Sequence, residues 1–312
     1  MPDRSTFYRI RSGTLYVEEP ELEGHYALAV GIDRVLEDKI TPYQHLVVAE
    51  AGPLGKILVL DGNIQLTEYD ESGYHEMLVH VPLLTHPQPA RVLILGGGDG
   101  ATLREVLRHP RVEQAVLCEI DPEVIRAARD HFPWASAAFD HPRARVNVED
   151  GLEFVRSSPA SWDVILVDSS DPIGPAAGIF QRPFYRDLRA ALRPGGIAVT
   201  QSESCFIFGD LVRELFAFIP QIYPVAAYYN TMVPTYTTGI IGFAFCSLGP
   251  DPVEAISDPS RVKELGELNY YTPAIHKAAF SLPKRFLDLF PPRVAERQGG
   301  WRRRSPSTPT PS

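Results

Sequence analysis

Hydrophobic residues in the first part of the chain occur in short runs separated by turn-forming residues. Four such runs are rich in apolar and β-branched side chains: Tyr26–Val30, His45–Val48, Lys56–Leu60 and Ile64–Thr67. The dipeptide Asp61-Gly62 separates the last two runs, and Asp-Gly between apolar runs is typical of a β-hairpin. We therefore predict a small antiparallel sheet within residues 1–71.

From Arg91 onward, apolar runs alternate with segments of helical periodicity. The predicted strands are Val92–Leu95, Ala115–Cys118, Arg145–Val148, Asp163–Val167 and Ile197–Thr200. The predicted helices are Ala101–Arg108, Pro122–His131, Gly151–Arg156 and Phe184–Leu192. Continuous apolar strands that alternate with helices indicate an α/β fold with a parallel sheet covered on both faces. Two later runs, Val225–Tyr229 and Ile240–Cys246, are expected to close this sheet in antiparallel order.

These patterns divide the chain into a β-strand domain (1–71), an α/β catalytic domain (72–290) and a tail expected to be disordered (291–312). The residues from Trp301 onward are rich in Arg, Pro and Ser, a composition typical of disorder. No stretch reaches the roughly 20 apolar residues needed to cross a bilayer, and the first residues hold no apolar signal core. We therefore expect a cytoplasmic protein without membrane association.

The composition, with 44% hydrophobic and 22% charged residues, is that of a globular protein with a sizeable core. The formal net charge of -9 argues against nucleic-acid binding, which usually needs a basic face. The same charge is compatible with a cationic substrate, because an acidic cleft raises the local concentration of positive ligands. The three cysteines are far apart, and we expect buried free thiols at Cys118, Cys205 and Cys246.

The first strand of the α/β region ends in the glycine-rich turn Gly96–Gly100, which contains Asp99. Glycines at a strand-to-helix turn allow a ligand to approach the backbone, although such turns also serve packing alone. Phosphate-binding turns avoid a carboxylate, whereas a ligand with an amine or a sulfonium would be attracted by one. Asp99 therefore favours an S-adenosyl-type ligand over a dinucleotide.

Acidic residues also end the next two strands. Glu119 follows the glycine turn by about 20 residues, the position at which doubly wound sheets bind a ribose diol. Asp121 is interpreted as the N-cap of the helix that begins at Pro122. Asp150 and Gly151 end the third strand, where a carboxylate lies within reach of an adenine amino group. The alternative for Asp150 is a helix N-cap and nothing more.

The fourth strand ends with two carboxylates three residues apart, Asp168 and Asp171. Asp171 precedes Pro172 and could serve only as a turn former. The chemical interpretation is that the pair binds and deprotonates a cationic amine. An alkylamine has a solution pKa near that of lysine, so its neutral form near pH 7 costs about 4 kcal/mol. A carboxylate that accepts the proton acts as a general base.

These motifs, in this order, resemble those of the spermidine synthases over roughly residues 40–285. The matching segments already described are Gly96–Gly100, Glu119–Asp121, Asp150-Gly151 and Asp168–Pro175. Further matching segments are Pro42–Gln44, Leu60–Gly62, Thr67-Glu68, Tyr74–Glu76, Pro234–Tyr236 and Tyr270–Pro283. One departure is Tyr69, which stands where the family commonly has an arginine, and it puts the identity of the amine acceptor in doubt.

The resemblance implies a polyamine aminopropyltransferase with a Rossmann-like (class I methyltransferase-type) domain and a small N-terminal antiparallel β domain. Decarboxylated S-adenosylmethionine is the implied co-substrate, putrescine or a related polyamine the acceptor, and spermidine and 5'-methylthioadenosine the products. No cofactor or metal is implied, and the assembly is a homodimer or homotetramer. The donor-binding residues implied are Gln44, His75, Asp99, Glu119, Asp150, Gly151 and Pro175. The implied polyamine-binding residues are Tyr74, Asp168, Asp171, Tyr236 and Gln201, with Asp168 as the catalytic base.

Plainer interpretations stay open for some of these residues. His75, on a predicted helix, can be a packed histidine, and Tyr236 can be a loop aromatic. The segment Ser202–Ser204 adds an acid, Glu203, near the expected amine site.

A methyltransferase would bind the same nucleoside, but it needs neither clustered carboxylates nor the N-terminal β region. The other alternative is a polyamine-binding protein without catalysis, against which Asp168 argues.

Overall fold

The computed structural model describes residues 6–10, 13–17, 25–169, 178–253 and 259–299 of the 312 in the chain. Two predicted site residues, Asp171 and Pro175, lie outside these ranges, as does the tail from residue 300 onward.

The N-terminal part forms two antiparallel sheets. The first contains β1 (Thr6–Ile10), β2 (Gly13–Val17) and β3 (Ala29–Ile32). The second contains β4 (Arg34–Ile40), β5 (His45–Glu50), β6 (Lys56–Leu60) and β7 (Asn63–Thr67) in sequential order. The predicted hairpin is confirmed, because Leu60 pairs with Asn63 across a turn in which Asp61 and Gly62 have φ of 47° and 94°. Positive φ at both turn residues is what the Asp-Gly dipeptide favours.

The larger sheet has seven strands in the order β10-β9-β8-β11-β12-β14-β13. Its five parallel strands are β8 (Arg91–Gly96), β9 (Gln114–Glu119), β10 (Ala144–Val148), β11 (Trp162–Asp168) and β12 (Leu192–Gln201). The strands β13 (Val225–Met232) and β14 (Ile240–Ser247) close one edge in antiparallel order, as predicted. The predicted Rossmann-like α/β fold is therefore confirmed.

Helices cover the sheet and connect its strands. They are α1 (Glu71–Thr85), α2 (Ala101–Leu107), α3 (Pro122–His131), α4 (Pro133–Ser136), α5 (Gly151–Arg156), α6 (Arg182–Ala191), α7 (Gly209–Ile222), α8 (Pro259–Lys263), α9 (Pro273–Ala279), α10 (Lys284–Leu287) and α11 (Pro292–Gly299). Among the residues that the structure describes, no helix combines the length and the apolar character needed to span a bilayer.

Both faces of the large sheet are buried, as continuous apolar strands require. Strand β8 shows the division, since Val92 and Ile94 belong to one hydrophobic cluster and Leu93 and Leu95 to the other. This alternation follows from the period of two along a strand. The three cysteines are buried free thiols, as expected. The central strands β8, β9 and β11 are therefore covered on both faces and support the loops at their carboxyl ends.

The expectation of a disordered tail from residue 291 is wrong for residues 292–299, which form α11. Val294 is buried in the cluster that contains Phe216 and Phe290. Four residues later, Gln298 accepts a hydrogen bond from the backbone N–H of Tyr228 (3.2 Å) and donates one to the carbonyl of the same residue. Two contacts one helical turn apart hold this polar helix against the sheet, although it has no long apolar run.

Candidate active site

A cavity of about 310 Å³ opens at the carboxyl ends of the parallel strands. Strand β8 lies between β9 and β11, so the strand ends at Gly96, Glu119 and Asp168 are brought side by side. Ligands of open α/β sheets bind at this edge. Every predicted site residue that the structure describes lines this cavity: Gln44, Tyr74, His75, Asp99, Glu119, Asp150, Gly151, Asp168, Gln201 and Tyr236.

The glycine turn brings two carboxylates close to the backbone. Gly97 has a φ of 69°, and its N–H donates to the carbonyl of Asp168 at 3.0 Å. A Cβ at Gly97 would lie 2.7 Å from Oδ2 of Asp168, and one at Gly98 would lie 2.7 Å from Cγ of Glu119. The turn therefore needs glycine because Asp168 and Glu119 pack directly against it.

Glu119 is buried at the end of β9 and accepts backbone N–H bonds from Gly98 (3.1 Å) and Asp121 (2.8 Å). Burial raises the pKa of Glu119 to about 7, with the charges of Asp121 and Asp99 adding to this shift and the two N–H bonds opposing it. A carboxylate fixed in this way can accept hydrogen bonds from the hydroxyls of a ribose.

Both neighbouring aspartates cap helices, as their alternative interpretation predicted. Asp121 accepts from the N–H of Glu123 (3.0 Å) and Asp150 from the N–H of Leu152 (2.8 Å). For Asp150 the two interpretations are compatible, because this residue also lines the cavity beside Gly151. Asp121 does more than cap, since Thr41 and Gln44 also donate to its side chain.

Asp168 lies at the end of β11 with a hydroxyl donor on each oxygen. Tyr74 Oη donates to Oδ1 at 2.8 Å, and Thr102 Oγ1 donates to Oδ2 at 2.6 Å. Burial raises the pKa of Asp168 above its usual value, and the negative charge of Asp99 adds to the shift. The charge of His75 and the two hydroxyl donors oppose it. A carboxylate with a raised pKa is a stronger base than a solvated one.

His75 is buried in α1 between acidic groups. Its Nδ1 lies 2.8 Å from the carbonyl oxygen and 2.9 Å from Oε2 of Glu71, and its Nε2 lies 3.9 Å from Oδ1 of Asp99. Burial alone would lower the pKa of His75, but the hydrogen bond to Glu71 and the nearby negative charges outweigh it and raise the pKa to about 9. His75 is therefore a cation at neutral pH, and Arg104 holds Glu71 through both carboxylate oxygens (2.9 and 3.0 Å).

His75, Asp99 and Asp168 also form the one group, among the described residues, with the spacing of a metal site. Their possible ligand atoms lie within 4.8 Å of one another. With a pKa raised to about 9, both ring nitrogens of His75 carry a proton near pH 7, so a metal would have to displace the proton of Nε2.

The far end of the cavity combines aromatic rings with hydrogen-bond acceptors. The rings of Tyr74 and Tyr236 are 6.0 Å apart, and Tyr236 Oη donates to the carbonyl of Gln65 at 2.7 Å. Gln201 Nε2 donates to Oε1 of Glu203 at 2.8 Å, and Oε1 of Gln201 is buried without a partner in the described part of the chain. Glu203 is itself buried and lines the cavity, with an unusual φ of 60°.

Three residues that hold His75 or Asp168 in place, directly or through Glu71, were not identified from the sequence: Glu71, Thr102 and Arg104. For Glu71 a signal existed, because a glutamate four residues before a histidine on a helix places the two side chains on one face. For Thr102 and Arg104 no local signal existed. Their roles depend on how α2 packs against α1 and β11, which only the fold determines.

The fold and the cavity define the class of this protein as a Rossmann-like α/β protein with an acidic pocket at the carboxyl ends of its parallel strands. Two family descriptions match the chain, "Spermine/spermidine synthase domain" over residues 71–253 and "Spermidine synthase tetramerisation domain" over residues 18–68. The chain therefore belongs to the spermine/spermidine synthase family, as its motifs predicted, and is an aminopropyltransferase.

Individual relatives support this assignment. The chain is 46% identical over 269 residues to the polyamine aminopropyltransferase of Leptospira biflexa. The matched region covers 86% of this chain and 95% of that protein. It is 44% identical to the spermidine synthase of Dictyostelium discoideum, over 83% and 90% of the two chains.

Solved structures agree with the fold. A spermidine synthase in complex with the transition state analogue AdoDATO has a TM-score of 0.86 and 37% identity, covering 90% of this chain and 96% of that one. The spermidine synthase of Thermotoga maritima has a TM-score of 0.84 and 37% identity, covering 90% and 95%.

Proposed function

We propose that this enzyme transfers the aminopropyl group of decarboxylated S-adenosylmethionine to putrescine or a related polyamine, giving spermidine and 5'-methylthioadenosine. The observation that carries the proposal is the placement of Asp168, a half-buried carboxylate with a raised pKa, in the same cavity as Glu119 and Asp99. Nucleoside binding and amine deprotonation thus take place at adjacent strand ends.

At the donor end, Glu119 accepts hydrogen bonds from the ribose hydroxyls, and Asp150 with Gly151 binds the adenine. Asp99, Gln44 and His75 surround the aminopropyl group, and Pro175 completes the donor set. The negative charge of Asp99 attracts the donor's cationic groups. The positive charge of His75 offsets the negative charges of the neighbouring carboxylates, so that these carboxylates stay ionised.

At the acceptor end, Tyr74, Tyr236 and Asp171 hold the polyamine. Gln201 offers an ammonium its carbonyl oxygen, which has no partner among the described residues. Glu203 beside Gln201 supplies a further negative charge for the distal amine.

The reaction is a displacement at carbon. The lone pair of the attacking amine forms the new N–C bond, the C–S bond breaks, and its electron pair stays on sulfur, which becomes a neutral thioether. The proton lost by the amine goes to Asp168. Alignment of nitrogen, carbon and sulfur in the cavity supplies much of the acceleration.

We further propose that the enzyme needs no cofactor or metal and works in the cytoplasm without nucleic-acid or membrane partners. The net charge of -9 supports the absence of a nucleic-acid partner. The match to a tetramerisation domain supports an oligomer, which we propose is a homodimer or homotetramer.

A product assay by mass spectrometry, with decarboxylated donor and a panel of amines, tests the reaction. Asp168→Asn should lower kcat by about 100-fold or more while donor affinity persists, because that is the usual effect of losing a positioned base. The exposed Asp210→Asn on α7 is the matched control and should act like the wild type. Methyl transfer in place of aminopropyl transfer, or full activity of Asp168→Asn, would refute the proposal.

A further inference from the structure

Asp121 has more hydrogen bonds than a helix cap requires. Its Oδ1 accepts from the N–H of Glu123 at 3.0 Å, which is the capping bond of α3. Its Oδ2 accepts from Thr41 Oγ1 at 2.7 Å and from Gln44 Nε2 at 3.0 Å. Asp121 is fully buried, and Asn or Ser would cap the helix as well. Oδ2 of Asp121 therefore bonds to side chains of the N-terminal domain and takes no part in capping the helix.

The two N-terminal donors belong to the turn between β4 and β5. Thr41 Oγ1 accepts from the N–H of Tyr43 (3.1 Å) and of Gln44 (3.0 Å), and the Thr41 N–H donates to the carbonyl of Gln44 at 2.8 Å. These bonds fix the backbone of Gln44 but leave the rotational freedom of its side chain, that of the terminal amide included.

Asp121 removes that freedom. An amide donates to a carboxylate only through its NH2 group. The contact between Gln44 Nε2 and Asp121 Oδ2 therefore assigns the NH2 group to the buried aspartate. The carbonyl oxygen of Gln44 is left as the atom available to a ligand of the cavity, which Gln44 lines. A carbonyl oxygen attracts an ammonium group, whereas an NH2 group in the same place repels it.

We propose that Asp121 is a positioning residue for the donor: it orients the Gln44 amide so that an oxygen faces the ammonium of the aminopropyl group. This inference rests on the proposed function, because only the decarboxylated donor carries that ammonium. The product 5'-methylthioadenosine lacks it and binds through the nucleoside contacts alone. The two ligands therefore separate an effect on Gln44 from an effect on the nucleoside site.

The test compares two substitutions that both remove the charge of Asp121 and both retain a helix-capping oxygen. In Asp121→Asn, the oxygen stays with the fixed N–H of Glu123 and the new NH2 group faces Gln44, whose amide must flip to accept from it. In Asp121→Ser, the short side chain reaches the cap but not Gln44, so the amide is released and not reversed. The difference between the two variants isolates amide orientation from lost charge.

We expect Asp121→Asn to raise the KM for decarboxylated donor by about tenfold or more and Asp121→Ser by about threefold, since hydrogen bonds to charged groups are among the stronger ones. For both variants, kcat at saturating donor and the Kd of 5'-methylthioadenosine by calorimetry should stay within about twofold of wild type. Gln44→Glu added to Asp121→Asn should restore donor KM, because a glutamate can accept from Asn and still present an oxygen.

Equal donor KM for the two variants, or an equal weakening of 5'-methylthioadenosine, would overturn the assignment and leave Asp121 with a capping or structural role. Thermal melts of each variant identify a folding defect, and Asp121→Ser alone still tests the selective loss of donor affinity if Asp121→Asn does not fold. Failure of the proposed function is a separate result, since it would appear as a wild-type enzyme that makes no aminopropyl product.

Discussion

At the scale of single residues, the pKa of Asp168, the proposed base, depends on neighbours that sequence order does not reveal. The position of Asp168 at the end of a buried strand was predictable, because apolar runs locate strand ends. Thr102, which donates to its Oδ2, is 66 positions away and carries no signal of its own. Its contact arises because α2 follows the glycine turn and starts beside β11. Strand ends can thus be predicted from the sequence, whereas hydrogen-bond partners from other elements of the cavity cannot.

Thr102→Val should shift the activity of the enzyme to higher pH. The Thr102 hydroxyl lowers the pKa of Asp168, so its removal raises that pKa further. A base with a higher pKa becomes protonated, and therefore inactive, at a higher pH. On the acid side of the optimum we expect kcat to fall about 3- to 10-fold, with near-normal kcat above it. The pH profile of kcat at saturating substrates measures this shift.

Thr102→Ser retains the hydroxyl and is the matched control, with a profile close to that of the wild type. A uniform loss of kcat at every pH in Thr102→Val, with the acid limb unmoved, would show that Thr102 serves packing and not the base.

At the scale of elements, the loop that carries Tyr236 is anchored to the N-terminal domain. Asp70, which precedes α1, accepts from the N–H and from Oγ1 of Thr235 (both 2.8 Å) and from Thr67 Oγ1 at 2.7 Å. Tyr236 itself donates to the carbonyl of Gln65. One buried carboxylate therefore connects the end of β7, the start of the helix with Tyr74 and His75, and the loop that carries Tyr236.

Thr235→Val should weaken acceptor binding selectively. It removes one of the two bonds between the loop and Asp70 while the backbone bond remains, so Tyr236 loses its fixed position. We expect the KM for the amine to rise about 3- to 10-fold with donor KM unchanged. Steady-state kinetics with each substrate varied in turn separate the two constants, and Thr235→Ser should preserve wild-type values. An equal rise in both KM values would contradict this role for the loop.

The elements that were not predicted share identifiable causes. Strand β4 (Arg34–Ile40) has charged, mostly exposed side chains, so it lacks the apolar alternation of a half-buried strand. Helix α1 was predicted at His75 but without bounds, because it is buried on all sides from Gly73 to Thr85 and shows no polar face by which to set its length. Helix α7 carries buried residues at helical spacing, but Pro220 interrupts its last turn. A sequence pattern predicts a helix or strand from the contrast between its exposed and buried positions. Elements without that contrast are therefore not predicted.

At the scale of the whole molecule, the site makes folding stability depend on pH. The pKa of His75 is raised to about 9 from 6.5, and that of Glu119 to about 7 from 4.5. In each case the folded state binds its proton more tightly than the unfolded state does. At a pH between the unfolded and the folded pKa of either group, the folded state therefore carries more protons than the unfolded state. A folded state that binds more protons loses stability as pH rises. The protons bound by His75 and Glu119 thus stabilise the folded state.

The free energy of unfolding should therefore fall between pH 6.5 and 9, as the folded protein approaches the pKa of His75. The contribution of His75 is complete below about pH 6.5 and is lost as pH passes 9, a change on the order of 3 kcal/mol for a shift of this size. Urea unfolding at fixed protein concentration, from pH 6 to pH 8.5, measures the slope. In His75→Gln, which cannot titrate, this slope should flatten and the stability at pH 6 should drop toward the value at high pH. A His75→Gln protein with the wild-type slope would mean that His75 is not the cation between Glu71 and Asp99, and the charge balance argued for the cavity would fail with it.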